Sequence, residues 1–345
     1  MISGKSSGKN RETNNNNLED KNPPTPPLVK GGKGGFASAF GFRPILVLAS
    51  LLLCFLIIAS TSFAQESPSA APKQFQQNFS IKGRINGSIL IVGWPADAAS
   101  IQKLADMTIA EAERTYDLLD AANPASDMAK LNAGSGKGKI QVSWQTVEAF
   151  KAAQKVAQWS KGAFDVVVLN GDYRALSIDE KASTIELKNE GMEVRLDPII
   201  DGYLADYMIT LINAAKMQNA MVRVGNVFRG IGESPYGPWR IQVQEDSAAY
   251  ARHALNLTVS NTGIATISAT EFRAKPLMDY RSKKTMAPTC KGATIVTSDG
   301  ALALGLAYAV FVLGPDDGMK LLNNIGKVRG LIVDSQGKFL KTQGL

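Results

Sequence analysis

The residues that could do chemistry are few. The sequence contains one histidine, His253, and two cysteines, Cys54 and Cys290. A zinc site needs several Cys or His ligands at set separations, and that pattern is missing here. His253 sits in Arg252-His253-Ala254-Leu255, which reads as a strand segment, so it is expected to be a strand residue and not a proton carrier. What the residue types do allow is polar and anionic ligand binding. A buried-strand pattern at residues 220–224 runs into Gly225-Asn226-Val227-Phe228-Arg229-Gly230-Ile231-Gly232. A glycine such as Gly225 at that point lets backbone N–H groups approach an anion.

These groups need elements to hold them. Residues 98–120 repeat apolar positions at spacings of three and four (Ile101, Leu104, Ala105, Thr108, Ala112, Tyr116, Leu119) and predict a helix capped by Asp97. A second helix is expected over 144–161, opened by Ser143 and closed by Gly162, with Trp144 and Trp159 as packing residues. The segment 126–132 between them reads as a loop. Residues 202–216 are amphipathic, and residues 299–313 are almost entirely apolar, which predicts a buried helix. A further helix is expected near 319–325. Strands are expected at 79–85 and 88–92, joined by an Asn86-Gly87 turn, and at 185–187, 193–196, 220–224, 239–243, 255–259 and 330–334.

The first 76 residues read differently. Residues 1–43 carry an Asn run, a Pro-rich run and Lys-Gly repeats, a composition unable to bury enough apolar surface to offset chain entropy. Residues 45–59 are uncharged and apolar, Arg43 precedes them, and Ser62-Phe63-Ala64 follows. That order is a secretory signal layout, expected to be cleaved after Ala64, with a membrane anchor as the alternative. Cys54 lacks the neighbours of a lipoprotein site. Residues 65–76 are a polar tether, and 77–345 are the folded domain. The leader holds seven Lys/Arg and three Asp/Glu, so the remainder keeps 31 basic and 28 acidic residues, net +3. The basic pI is partly a leader effect, and nothing supports nucleic-acid binding. The expected location is the periplasm or another extracytoplasmic space, with membrane contact through the apolar segment if it is not removed.

The order of motifs resembles the ApbE family, the FAD:protein FMN transferases. The family's S-E-I-S-x-L-N stretch is similar to residues Ser126 to Asn132, and its G-x-F-D to Gly162-Ala163-Phe164-Asp165. Its G-I-A-K-G-Y-x-x-D is similar to Ile200-Asp201-Gly202-Tyr203-Leu204-Ala205-Asp206. The glycine segment from Gly225, Pro238-Trp239-Arg240-Ile241 and Phe311-Val312-Leu313-Gly314 complete the series. The resemblance covers about residues 80–340. It implies an α+β fold: a T-fold-related single domain of mixed sheet with packed helices. It also implies an exported, magnesium-dependent enzyme that splits FAD and attaches FMN to Ser or Thr of a redox or flavin-acceptor partner. The residues it suggests for binding are Ser126, Asn132, Asp165, Tyr203, Gly225, Asn226 and Arg281, with helix capping and loop closure as the alternative role for the first three.

Where the sequence departs from the pattern, it departs at the chemistry. The family's H-I-I-D-P-x-T-G falls on residues 276–283. Asp279 is kept, but Pro276 stands at the histidine position and has no proton to transfer. The metal-binding aspartate falls on Leu304 and the threonine on Tyr308, neither a normal Mg²⁺ ligand. The family lysine falls on Asp201, the second loop glycine on Asn226, and its acidic neighbour on Val227. A shifted site using Asp299 is the route by which a metal could return. Lys291-Gly292-Ala293-Thr294 resembles part of a flavin-acceptor motif, but Pro288 stands at its aspartate, so a strand start is expected there. The reading is a family member that is non-catalytic or altered, retaining flavin-nucleotide (FAD) or partner binding. The alternatives are an active transferase with Mg²⁺ in shifted ligands and a flavin-free assembly protein.

Overall fold

Eight strands pair in chain order. They are β1 (Gln74–Ile81), β2 (Ile85–Val92), β3 (Asn219–Val224), β4 (Val227–Ile231), β5 (Thr262–Ser268), β6 (Cys290–Thr297), β7 (Arg329–Asp334) and β8 (Phe339–Lys341). This computed structural model describes residues 73–94, 97–243, 255–273 and 275–345. The leader, the signal-like segment, the start of the tether and His253 lie outside them. Each strand is antiparallel to its neighbour. The expected α+β class is found, and its sheet is antiparallel throughout where a mixed one was expected. When sequence neighbours are sheet neighbours, every connection returns along an adjacent strand and no parallel crossover is needed.

Alternation of side chains separates two apolar layers. Along β5, Ile264 joins one cluster while Ala265 and Ile267 join the other; along β7, Leu331 and Val333 join the first and Ile332 the second. The smaller cluster is closed by a ribbon of Trp239–Val243 paired with Leu255–Val259, and the Trp239 indole N–H donates to the Ile231 carbonyl at 3.0 Å. The larger cluster lies under helices inserted between adjacent strands.

Four helices occupy the insertion between β2 and β3: α1 (Ala98–Leu119), α2 (Asp127–Ala133), α3 (Trp144–Trp159) and α4 (Ile200–Ala214). Two more, α5 (Gly300–Leu313) and α6 (Pro315–Asn324), lie between β6 and β7. Asp97, Ser126 and Ser143 each accept a backbone N–H of the first turn and cap α1, α2 and α3. The apolar α5 is buried nearly end to end, packed by α3, α4 and α6 and by β5 and β6. Each Leu or Phe so buried contributes roughly 1.5–3 kcal/mol. Trp144 packs edge-on against Tyr207 at 5.6 Å, and Lys155 lies over Trp159. Among the described residues no helix is long and apolar enough to cross a membrane.

Several sequence expectations need correction. The first hairpin turns at Lys82-Gly83, both with positive φ, and not at Asn86-Gly87, which lie inside β2. Gly87 is required there because a Cβ would come within 2.2 Å of the Phe79 ring. Strand β1 begins inside the segment read as tether. Residues 127–133 are helical and not a loop, because Ser126 caps a seven-residue helix too short to advertise itself by periodicity. The glycine-containing segment after Asn226 is β4, not an open loop. Thr294 is fully buried in β6 opposite Thr266, in line with a strand and not an acceptor site.

Candidate functional site

The starts of α4 and α5 meet at backbone distance. A Cβ on Gly202 would lie 2.5 Å from the Gly300 carbonyl oxygen, and one on Gly263 would lie 2.4 Å from the Gly300 nitrogen. The N-cap residue of α5, Asp299, gives its first turn no side-chain bond. Asp206 of α4 does so instead: its carboxylate accepts Gly300 N at 2.7 Å and Ala301 N at 2.9 Å. Arg229 of β4 donates its Nε to the same carboxylate at 3.0 Å. Burial pushes the Asp206 carboxyl up, the nearby Asp299 charge adds to this, and Arg229 and the two N–H groups oppose it. Asp206 is not among the residues the sequence suggests for binding. The available signal was its spacing of four from Gly202, which puts both on one helix face.

Beside this contact lies the Gly225 turn. Gly225 has φ +54, and a Cβ there would meet the Asp201 carboxylate at 2.2 Å. The Gly225 N–H, suggested as an anion donor, donates to the Asn86 carbonyl at 2.9 Å. Asn226 donates its side-chain amide to Glu271 at 2.9 Å, and Glu271 also accepts the Ser268 N–H. Burial raises the Asp201 carboxyl to about 6; Lys275 opposes the shift and Glu271 adds to it. Tyr308 stands against the Phe272 ring, and burial followed by the Glu271 charge pushes its phenol up.

The other suggested binding residues have partners within the chain. Ser126 caps α2. Asn132 pairs with the backbone of Val194 through both its oxygen and its amide, as a strand neighbour would. Asp165 accepts the N–H groups of Val167 and Tyr173 at 3.0 and 2.8 Å, while burial raises its carboxyl. Tyr203 is buried and stacked on Tyr207; its hydroxyl has no protein partner, and burial pushes it well up. The structure also brings in Asp127, which sequence reading did not select. Its carboxylate accepts Ser143 N at 2.7 Å, the Thr146 hydroxyl at 2.9 Å and Lys130.

Pro276, exposed, precedes a short ribbon of Leu277–Asp279 and Lys284–Met286. Arg281 and Asp279 form a two-point pair with each other, at 3.0 and 3.3 Å. Lys283 takes positive φ and extends its ammonium to the Val167 carbonyl. Leu304 is buried in α5, with Tyr308 one turn beyond. Mg²⁺ requires hard oxygen donors in near-octahedral array. Leu304 supplies none, and a phenol whose proton is held by burial is a poor one. Asp299 accepts the Ser298 hydroxyl and its charge acts on Asp206. Among the described residues no three His, Cys, Asp or Glu side chains form a group able to hold a metal. The side chains at these positions do not fit Mg²⁺.

The sequence model described as ApbE family matches residues 87–332. Among solved structures, the fold is similar to the Pseudomonas stutzeri flavinyl transferase ApbE in its apo form, with a TM-score of 0.68 and 18% identity over 80% of this chain and 96% of that one. It is similar to the flavin transferase ApbE from Vibrio cholerae, with a TM-score of 0.65 and 19% identity over 79% and 97%. An ApbE protein from Thermotoga maritima gives a TM-score of 0.65 and 20% identity over 79% and 97%. A search of curated proteins found none that matches.

Proposed function

This chain belongs to the ApbE family, and we propose that it is a member that has kept the fold and lost metal-dependent flavin transfer, while retaining flavin or partner binding. The observation that carries this reading is the pair Leu304 and Tyr308 on α5. One is an apolar residue buried where a carboxylate is expected, and the other is a phenol packed on Phe272. Splitting a pyrophosphate loads negative charge onto phosphate oxygens, which enzymes answer with a divalent ion or Arg/Lys and a base for the attacking hydroxyl. Pro276 offers no base, Arg281 is committed to Asp279, and the lysine position carries Asp201. The protein is further read as exported through residues 44–64 and as a companion of a redox or flavin-acceptor protein. Titrating the full chain into a flavin and following fluorescence polarisation tests the binding. Saturation independent of added Mg²⁺ is expected.

A second reading, a flavin-free assembly protein, is favoured by one observation. The polar groups of Ser126, Asn132 and Asp165 and the Gly225 N–H are all engaged within the chain. Unchanged polarisation at high protein concentration would select it over flavin binding.

A further inference from the structure

The large sheet ends on one side at β8, three residues long and closed by Lys341, and on the other at β1, eight residues long. A short or charged edge resists pairing with another chain, whereas a long and regular one invites it. β1 reads Gln74-Phe75-Gln76-Gln77-Asn78-Phe79-Ser80-Ile81, with no charge and no proline, and its register with β2 is unbroken. Its backbone faces two ways. Gly93 N–H donates to the Lys73 carbonyl at 2.8 Å, so in the alternating ladder residues 73, 75, 77, 79 and 81 bond to β2. Gln74, Gln76, Asn78 and Ser80 therefore aim their N–H and C=O groups outward, where no strand among the described residues takes them. The side chains of these four are exposed. Phe75, Gln77 and Phe79 lie on the helix side, Phe75 edge-on to Trp94 at 6.4 Å and Gln77 donating to Asp106 of α1 at 3.0 Å.

We propose that this edge is an interface between two copies of the chain, joined β1 to antiparallel β1 about a two-fold axis at Gln77. A strand set antiparallel to its own copy is self-complementary, since each donor meets the same acceptor twice. An axis at Gln77 sets Gln76 opposite the partner's Asn78 and Gln74 opposite the partner's Ser80, so all four outward residues enter the ladder. An axis one residue to either side leaves Ser80 or Gln74 without a β1 partner. On the helix side Phe75 then faces the partner's Phe79, a cross-strand aromatic pair, and Gln77 faces its own copy. Lys73 falls opposite the partner's Ile81, and Lys82 is paired with Asp117 at 3.0 Å, so no like charges oppose one another across the ladder.

Sedimentation velocity on the full chain and its Asn78→Pro variant tests the interface, and single cysteines test its register. Proline at an outward position of an edge strand removes no bond to β2 but removes a donor to the copy. The wild type is expected to sediment as a dimer. Asn78→Pro should weaken that dimer by roughly tenfold or more, with an unchanged far-ultraviolet circular dichroism spectrum. Residues that face each other without a hydrogen bond stand about 4.5 Å apart between Cα atoms, within disulfide range. Gln77→Cys should thus give a disulfide-linked dimer on mild oxidation, above the wild-type level. Gln76→Cys should not, because its counterpart lies two positions further along the partner strand. Should Asn78→Pro not fold, the two cysteine variants decide. A monomeric wild type overturns the proposal and leaves the edge to an extended segment of another protein. A dimer indifferent to Asn78→Pro, or equal cross-linking from both cysteines, overturns it as well.

Discussion

Asp206 on α4 accepts the backbone N–H of Gly300, 94 residues away, at 2.7 Å, so a carboxylate within one helix caps the start of another. The same carboxylate holds Arg229, and both side chains are largely buried. Removing it leaves two helix N–H groups without their acceptor and takes a carboxylate from Arg229, which keeps the Gly230 carbonyl. Asp206→Ala should therefore destabilise the fold by roughly 3–5 kcal/mol, the usual cost of breaking a buried pair from one side. Arg229→Ala should also destabilise, and the double substitution should cost less than the sum of the two. Chemical denaturation of the three variants checks this; additive losses would mean that the pair is not coupled.

Gly225 and Asp201 make a second coupled pair. Gly225→Ala introduces a Cβ in a left-handed backbone and against the Asp201 carboxylate. The backbone part alone costs roughly 1–2 kcal/mol. In an Asp201→Ala background the side-chain collision disappears and the backbone cost remains. A double-mutant cycle on unfolding free energy should give a coupling within the range of about 0.5–3 kcal/mol seen for contacting residues. A coupling near zero would place Asp201 away from the turn.

The pH dependence has a sign set by the same carboxyl. Its folded-state value of about 6 lies above the ordinary 3.8. The contribution is thus fully present below pH 3.8 and is lost as pH rises through about 6. Asp201→Asn removes this titration. Relative to wild type, the Asn variant should gain stability between about pH 4 and pH 7, by roughly 2–3 kcal/mol at the upper end. Urea denaturation of both proteins across that range measures it, and parallel curves would contradict the assignment.

Asp127 predicts the opposite trend. Buried at the α2–α3 junction, it is held down in pKa against its desolvation by the Ser143 N–H and hydroxyl, Lys130 and Thr146. Its stabilisation is present above the ordinary carboxylate value and is lost as pH falls through its lowered one. Asp127→Ala should cost about 2–4 kcal/mol at neutral pH, as expected for unpairing buried donors, and less in acid. Thermal melts at both pH values provide the check.

Much of the fold was legible because its signals are local. The apolar spacing and serine or aspartate caps of α1 and α3, and the unbroken apolar run of α5, each announce themselves within a few residues. The first turn was misplaced because Asn86-Gly87 is a strong turn signal, whereas Gly87 is there to admit Phe79 from the paired strand. Sheet order and direction were not legible, since they depend on pairings across insertions as long as the one between β2 and β3. At the site, Pro276, Leu304, Tyr308 and Asp201 stand out only against the motifs of the family that the sequence resembles. The roles of Asp206, Arg229 and Asp127 could not, because their partners lie on other elements.

The most direct measurement is a transfer reaction. The full chain is incubated with FAD, Mg²⁺ and a protein bearing the Asp-x-x-Thr-Gly-Ala-Thr acceptor motif, and the acceptor is then denatured and weighed by mass spectrometry. The account predicts an acceptor of unchanged mass. A fraction carrying a covalently bound FMN, absent when Mg²⁺ is chelated, would show that metal and proton transfer have been re-created around Leu304 and Pro276 and would contradict it.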